Sequence, residues 1–392
     1  MIAEIRDKYN SLFDENNYSE FIKNINLETN NRLDFRISET PLFLNESLCN
    51  KLIQAGDEIL SQIKTNEFLT KSKNAVPEKY FVPNEDLHPV FLQLDFGIIK
   101  DSNGEFIPQL IELQGFPSLY AYQIFLDQKV REHFFIPDNF TTYFNSFDFN
   151  SYLEMFKKTL VGNSDPENVI LLEIEPDKQK TRIDFYLTEK YTNVQSVCIT
   201  EIIKKGNKLY YKKNGNEIPI ERIYNRVIFD ELEKKNLVFN FDFRDDLNIK
   251  WVGHPNWFYR ISKFSLPEIN SKYSPQSFYL NELDYFPLDL ENYVLKPLFS
   301  FAGSGVIIDI SKEILDSIKD RHNYIIQKKV DYFPLIKTPQ GNAKAEIRMM
   351  YVWNDKPILV NNLLRTSKGK MMGVDFNKNQ TWIGSNTVYH SL

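Results

Sequence analysis

Between Val90 and Leu113 the chain has two apolar-rich runs, VFLQLDFGII and EFIPQLIEL, either side of Asp101-Ser102-Asn103-Gly104. Alternation of apolar and polar residues with period two is the pattern of a half-buried strand, and Asn-Gly between two such runs is a hairpin signal. With Asn103 and Gly104 as the two turn residues, paired positions have numbers that sum to 207, as 103 and 104 do. Asp95 then falls opposite Glu112, and Gln93 opposite Gln114. All four point to one face, while Leu92, Leu94, Phe96 and Ile98 point to the other with Ile107, Ile111 and Leu113. One face is apolar and its reverse presents two carboxylates.

The same reading organises the rest of the chain. Residues 1–24 predict an amphipathic helix, and Ser47 caps a second that runs to Lys64. Residues 70–89, with Pro77, Pro83 and Pro89, are irregular, and 115–150 are helix and loop. From Asn168 the order changes: the buried strand NVILLEI, a helix over Asp177–Tyr191, then the strand VQSVCITEI. KLYYK and Ile223–Phe229 add strands around an Asn214-Gly215 turn, which makes a small α/β unit with a partly parallel sheet. After the loop WVGHPNWFYRISKF and a helix-and-turn stretch come the strand YVLKPLF, the loop SFAGSG and the strand VIIDI. A helix near Lys312–Arg321, the strand YIIQKKV and the hairpin AEIRMMYVWNDKPILVNNLLR complete an α+β chain without internal repeats.

Composition narrows the class. A chain of 392 residues predicts two or three domains, and 31 Phe and 21 Tyr give them material for cores. A net charge of −6 offers no broad attraction to nucleic acid. Cys49 and Cys198 form no CxxC pair, and the five histidines are scattered. The N-terminal MIAEIRDKYNSLFDENN has no apolar signal region, and no run reaches the ~18 apolar residues of a membrane span. The expectation is a cytoplasmic protein with neither membrane nor nucleic acid as partner.

Three features carry chemistry. Asp95 and Glu112, directly opposite, repel each other. Either a divalent cation such as Mg²⁺ removes that cost, or the face is solvated with one acid protonated or displaced. In KPLFSFAGSGV, Lys296 ends a strand and Gly303, Ser304 and Gly305 follow in a small-residue loop. Such a loop either lets backbone N–H groups approach phosphate or is an ordinary connecting turn. Lys263 lies 33 residues before Lys296, and Arg348 and Arg365 sit in the terminal hairpin. The arginines either clamp phosphates or pair with Glu346 on the surface.

In this order the pieces resemble the circularly permuted branch of the ATP-grasp superfamily, and in particular the synthetase part of glutathionylspermidine synthase. QLDFGIIKDSNGEFIPQLIELQGFPS resembles that family's magnesium segment, which makes Asp95, Glu112 and Gln114 the implied metal ligands. NWFYRISKF points to Lys263 as one ATP lysine, and the strand lysine and its loop map to Lys296 and Phe301–Gly305. YIIQKKV resembles the adenine hinge, so Gln327, Lys328 and Val330 would touch adenine through backbone, and Arg365 in LLRTSKG would act on phosphates with Arg348 nearby. The resemblance implies a metal-binding half within 1–150, a pre-ATP-grasp-like α/β insertion at 151–250, a nucleotide lobe at 251–335 and a completing hairpin at 336–392. It also implies a ligase that uses ATP and Mg²⁺, or Mn²⁺, to join a small-molecule or peptide carboxylate to an amine through an acyl phosphate, with Arg365 and Lys263 as the catalytic groups. Gln114 stands where the family has Asn, Gln93 where relatives often carry Arg, and no Cys/His amidase module precedes the hairpin. A non-catalytic nucleotide-binding partner protein and a phosphotransferase without the amide step are the other two classes.

Overall fold

The computed structural model describes residues 2–300, 303–370, 372, 377 and 379–392. The centre is a five-stranded antiparallel sheet built from two hairpins that lie far apart in sequence. Its strands run in the order Gly384–Asn386, Pro357–Ser367, Lys344–Trp353, Phe91–Lys100, Phe106–Gln114.

The first hairpin pairs Asp95 with Glu112 and Gln93 with Gln114, but by a different route from the two-residue turn. The connection is longer: Asp101 N–H donates to Glu105 O at 2.9 Å, and Gly104 N–H to Asp101 O at 3.0 Å. The strands therefore start one step out of the expected register, Lys100 facing Phe106 and Phe96 facing Leu110. A bulge beside Asp95 and Phe96 then takes up Ile111 and restores the pairing at the carboxylates. Leu110, fully buried, fills the core position expected of Ile111.

The apolar face of this sheet packs on the helix Glu46–Ile63, where Leu48, Leu52, Ala55 and Ile59 meet Leu92, Leu94, Phe96, Ile347 and Met349. Asn45, two residues before the expected cap, accepts the Leu48 N–H at 3.0 Å and sets the helix start. The reverse face is divided. Phe91, Met350, Val352 and Leu363 are covered by the helix Tyr120–His133, whose Tyr120 hydroxyl donates to Tyr351 O at 2.8 Å. The other half of that face is charged and holds the site.

The N-terminal segment forms two helices, Ala3–Leu12 and Glu15–Glu28, because Asp14 accepts the Asn17 N–H and starts a new one. The small α/β unit is wholly parallel in its four-stranded sheet, ordered Lys250–Val252, Arg222–Asn225, Val169–Glu173, Gln195–Cys198. Its helix is Arg182–Thr192 and begins later than expected, after a turn at Pro176–Lys178. KLYYK belongs instead to a separate antiparallel meander of Ile203–Lys205, Lys208–Lys213 and Asn216–Ile220. The strand expected over Ile223–Phe229 stops at Asn225, and Phe229 opens a short helix.

Opposite the charged face lies a lobe with a three-stranded antiparallel sheet, ordered Ser277–Tyr279, Tyr324–Lys328, Tyr293–Pro297. The expected strand VIIDI is reduced to a bridge between Ile307 and Leu295, and the helix that follows is only Lys312–Ser317. Among the described residues no helix is long and apolar enough to cross a membrane.

Candidate functional site

Strand register places the site residues in rows. Asp95 is flanked on its two neighbouring strands by Glu112 and Arg348, and Glu346, two positions from Arg348, is paired with Arg365. Alternation puts all five side chains on the charged face. Asp95 is fully buried. Arg348 grips it with two parallel bonds, Nε to Oδ1 at 2.6 Å and Nη2 to Oδ2 at 2.7 Å. Arg365 Nη2 also donates to Asp95 Oδ2 and reaches Glu346 Oε1 at 2.7 Å. Burial pushes the Asp95 carboxyl up, but the guanidinium groups of Arg348 and Arg365 outweigh it and hold the carboxyl below its ordinary value. For Glu346 burial wins over Arg365, so its carboxyl is raised. The two arginines thus take the place expected of a cation between facing carboxylates.

The lysines come from across the cleft. Lys296 Nζ donates to Ile111 O at 2.9 Å and to Gln327 Oε1 at 2.5 Å. The Ile111 carbonyl belongs to the bulge residue, so the irregularity that restores the carboxylate pairing also supplies the lysine's acceptor. Burial lowers the Lys296 pKa to about 8, with Glu112 opposing that shift. Lys263 Nζ donates to Ser300 O at 2.6 Å and lies 3.9 Å from Glu112 Oε2. Gln114 turns its amide N–H to Glu112 Oε1 at 2.6 Å. Glu112, Gln114, Phe116, Lys263 and Ser300 line a small cavity of about 40 Å³. The segment carrying Lys263 is tied to the hairpin end at Gly115, whose N–H donates to Ile261 O at 2.9 Å. A Cβ on Gly115 would lie 2.6 Å from Trp257 O, so the approach needs glycine.

Gly303 and Gly305 adopt positive φ, 74° and 73°. Phe301 and Ala302 of that loop lie outside the described residues. The segment expected as the adenine hinge is divided. The Gln327 side chain points in to Lys296, and Gln327 Nε2 has no partner among the described residues. Lys328 N–H is already used on Gln276 O at 2.8 Å. Lys328, Val330 and Tyr332 line a second cavity of about 390 Å³ with Ile99, Lys100 and Gln109. Tyr332 lies over Gly97, where a Cβ would come within 2.6 Å of its ring, and donates to Glu346 Oε2 at 2.5 Å.

The sequence matches no family model and no curated protein. Among solved structures, the fold matches a glutathione synthetase-like effector from Globodera pallida, solved in its apo form, with a TM-score of 0.57 and 10% identity. The alignment covers 95% of this chain and 97% of that one. The fold is glutathione synthetase-like. At this identity the likeness is one of architecture alone.

Within this glutathione synthetase-like fold the structure adds residues that the sequence reading did not single out. Glu346, which entered only as a surface partner in one of two readings of the arginines, is buried at 4% exposure and belongs to the arginine cluster. Arg226 follows directly on the parallel strand Arg222–Asn225 and is also buried. Its guanidinium lies 4.8 Å from the centre of the Phe116 ring, and Phe116 also lines the small cavity beside Glu112. Arg226 Nε and Nη1 have no partner among the described residues. Burial raises the Glu173 pKa to about 8, with Arg226 opposing the shift, and Glu173 ends the adjacent strand. Asp184 has a structural role: it accepts the N–H groups of Leu119, Ala121 and Tyr122 at the start of the helix Tyr120–His133. One signal for Arg226 was present in the sequence: ligands of open α/β sheets gather at the carboxyl ends of parallel strands.

Proposed function

We propose that the chain is an ATP-dependent carboxylate–amine ligase of the ATP-grasp type, in its permuted order, and that the reaction proceeds through an acyl phosphate. The observation that carries this is convergence. Lys263 and Lys296 from one lobe meet Glu112, Gln114, Arg348 and Arg365 from the sheet opposite, in a glutathione synthetase-like fold.

In this reading Lys263 and Lys296 exchange the carbonyls of Ser300 and Ile111 for phosphate oxygens, and the Gly303–Gly305 turn covers the triphosphate against water. Gln327 presents its unpartnered amide N–H to the base, with Val330 beside it. The substrate carboxylate oxygen bonds to the γ-phosphorus while the bond to the β-phosphate oxygen breaks and ADP leaves. The amine nitrogen then attacks the acyl carbon, loses a proton and displaces phosphate. Arg365 offsets charge on the transferring group. Arg226, behind Phe116, holds an anionic group of the acid substrate. Among the described residues no three His, Cys, Asp or Glu side chains are grouped to hold a metal ion. Glu112 and Gln114, on the open side of the cluster, fit Mg²⁺ or Mn²⁺ carried in with the nucleotide; Asp95, gripped by two arginines, does not. Held by Glu112 and Gln114, such an ion would offset the negative charge of the phosphates.

A second reading, a nucleotide-binding protein without catalysis, is favoured by one observation: Arg348 and Arg365 hold Asp95, which leaves Glu112 as the one carboxylate of the facing pair open to a metal ion. ADP release with candidate acids, with and without amines, separates the classes. A ligase needs both substrates, a phosphotransferase needs no amine, and a binder releases no ADP.

A further inference from the structure

We infer that Asp95 is a positioning residue, which holds Arg348 and Arg365 as a paired guanidinium surface for a polyphosphate chain, and that it is not a metal ligand. The inference rests on the nucleotide reading for its ligand and on side-chain geometry for its assignment.

Both Asp95 oxygens are engaged, Oδ1 by Arg348 and Oδ2 by Arg348 and Arg365. A cation at Asp95 would have to displace a buried, bidentate guanidinium from a fully buried carboxylate. The neighbouring acid differs: the Glu112 side chain is 20% exposed, and its contacts with Arg348 and Lys263 are both 3.9 Å, longer than hydrogen bonds. The arginines retain capacity of their own. Arg365 Nε is buried and without a partner among the described residues, although its Nη2 is used twice. A planar guanidinium with a spare N–H suits a phosphate oxygen. Both arginines stand on sheet strands, fixed by cross-strand pairing, so a ligand meets them already placed. Asp95 and Glu346 set that placement, and Tyr332 fixes Glu346 from the hinge.

The test is calorimetric titration of the full chain with inorganic tripolyphosphate and with ATP, once in EDTA and once across a Mn²⁺ series. Wild type is expected to bind tripolyphosphate in EDTA. Asp95→Asn is expected to weaken that binding about tenfold or more, while the Mn²⁺ concentration for half-maximal ATP binding stays within about twofold. Glu112→Gln is expected to do the reverse. Asp95→Asn that binds tripolyphosphate normally in EDTA but needs about tenfold more Mn²⁺ overturns the assignment and restores Asp95 as a metal ligand. Should Asp95→Asn not fold, Arg365→Lys, which keeps the charge and loses the Nε–H, decides: metal-free binding falls if the inference holds and is unchanged if it does not. Wild type that binds tripolyphosphate but not ATP removes the nucleotide reading and leaves the arginine surface standing. Binding of neither overturns both.

Discussion

Two buried arginines in this protein stand in opposite situations. Arg348 lies in a lattice where Asp95 receives three guanidinium donors and Glu346 is paired with Arg365. Arg226 lies at the end of a parallel strand with Nε and Nη1 unpartnered among the described residues and an aromatic ring against it. The first group is satisfied by the chain and can accept a ligand only by exchange or with spare donors. The second has hydrogen-bonding capacity that the described residues do not use. The acid substrate proposed above would supply the missing acceptors. The comparison separates a charged surface held by its own ion pairs from a buried guanidinium with unfilled donors among the described residues.

The largest expected effect is on folding. Arg348→Met leaves the buried Asp95 with one partner and is expected to cost roughly 3 kcal/mol in denaturant unfolding of the ligand-free protein. Arg226→Met removes a charge that offsets the buried Glu173 and Asp184 carboxyls through space, without a hydrogen bond to either among the described residues, and is expected to cost less, about 1 kcal/mol. Equal costs would erase the distinction. Next comes recognition. If Arg226 holds the acid substrate, Arg226→Met lowers acid-dependent ADP release about 10- to 100-fold, the loss of a charge-assisted contact, with ATP affinity unchanged. A fall in ATP affinity alone would move Arg226 out of the acid pocket.

Two smaller effects follow pH. Lys296, lowered to about 8 by burial, keeps its charge below that pH and loses it above. Nucleotide affinity is therefore expected to decline as pH rises through about 8, and Lys296→Arg to remove the decline. Glu173, raised to about 8 by burial from an ordinary 4.5, keeps a proton in the folded chain that the unfolded chain releases. Between those values stability falls as pH rises, because the folded state binds more protons. Glu173→Gln should flatten that part of a melting-temperature profile, and an unchanged slope would show that Glu173 ionises normally.

The hairpin at Phe91–Gln114 was legible because a two-residue period survives local irregularity. Its register at Asp95 and Glu112 was reached by two offsets that cancel, a longer turn and the bulge at Ile111, and neither is written in the alternation. Arg348 and Arg365 were recognised as candidate phosphate ligands, but their hold on Asp95 joins residues 253 and 270 positions apart in the chain. Glu346 looked like a surface acid because nothing local shows that Tyr332 folds over it. In IYNRVIF, Arg226 reads as one more strand position, and only the strand's end at Asn225 turns it towards Phe116.

The central claim is that Lys263, Lys296 and the arginine-bearing sheet form one nucleotide site. Calorimetric titration of the full chain with ATP and Mg²⁺, with Lys296→Ala in parallel, tests it most directly. The account predicts saturable binding to wild type at or below millimolar ATP, and a loss of roughly 1.5–3 kcal/mol in the variant. Absence of binding to wild type at millimolar ATP, or identical isotherms for the two proteins, would contradict it.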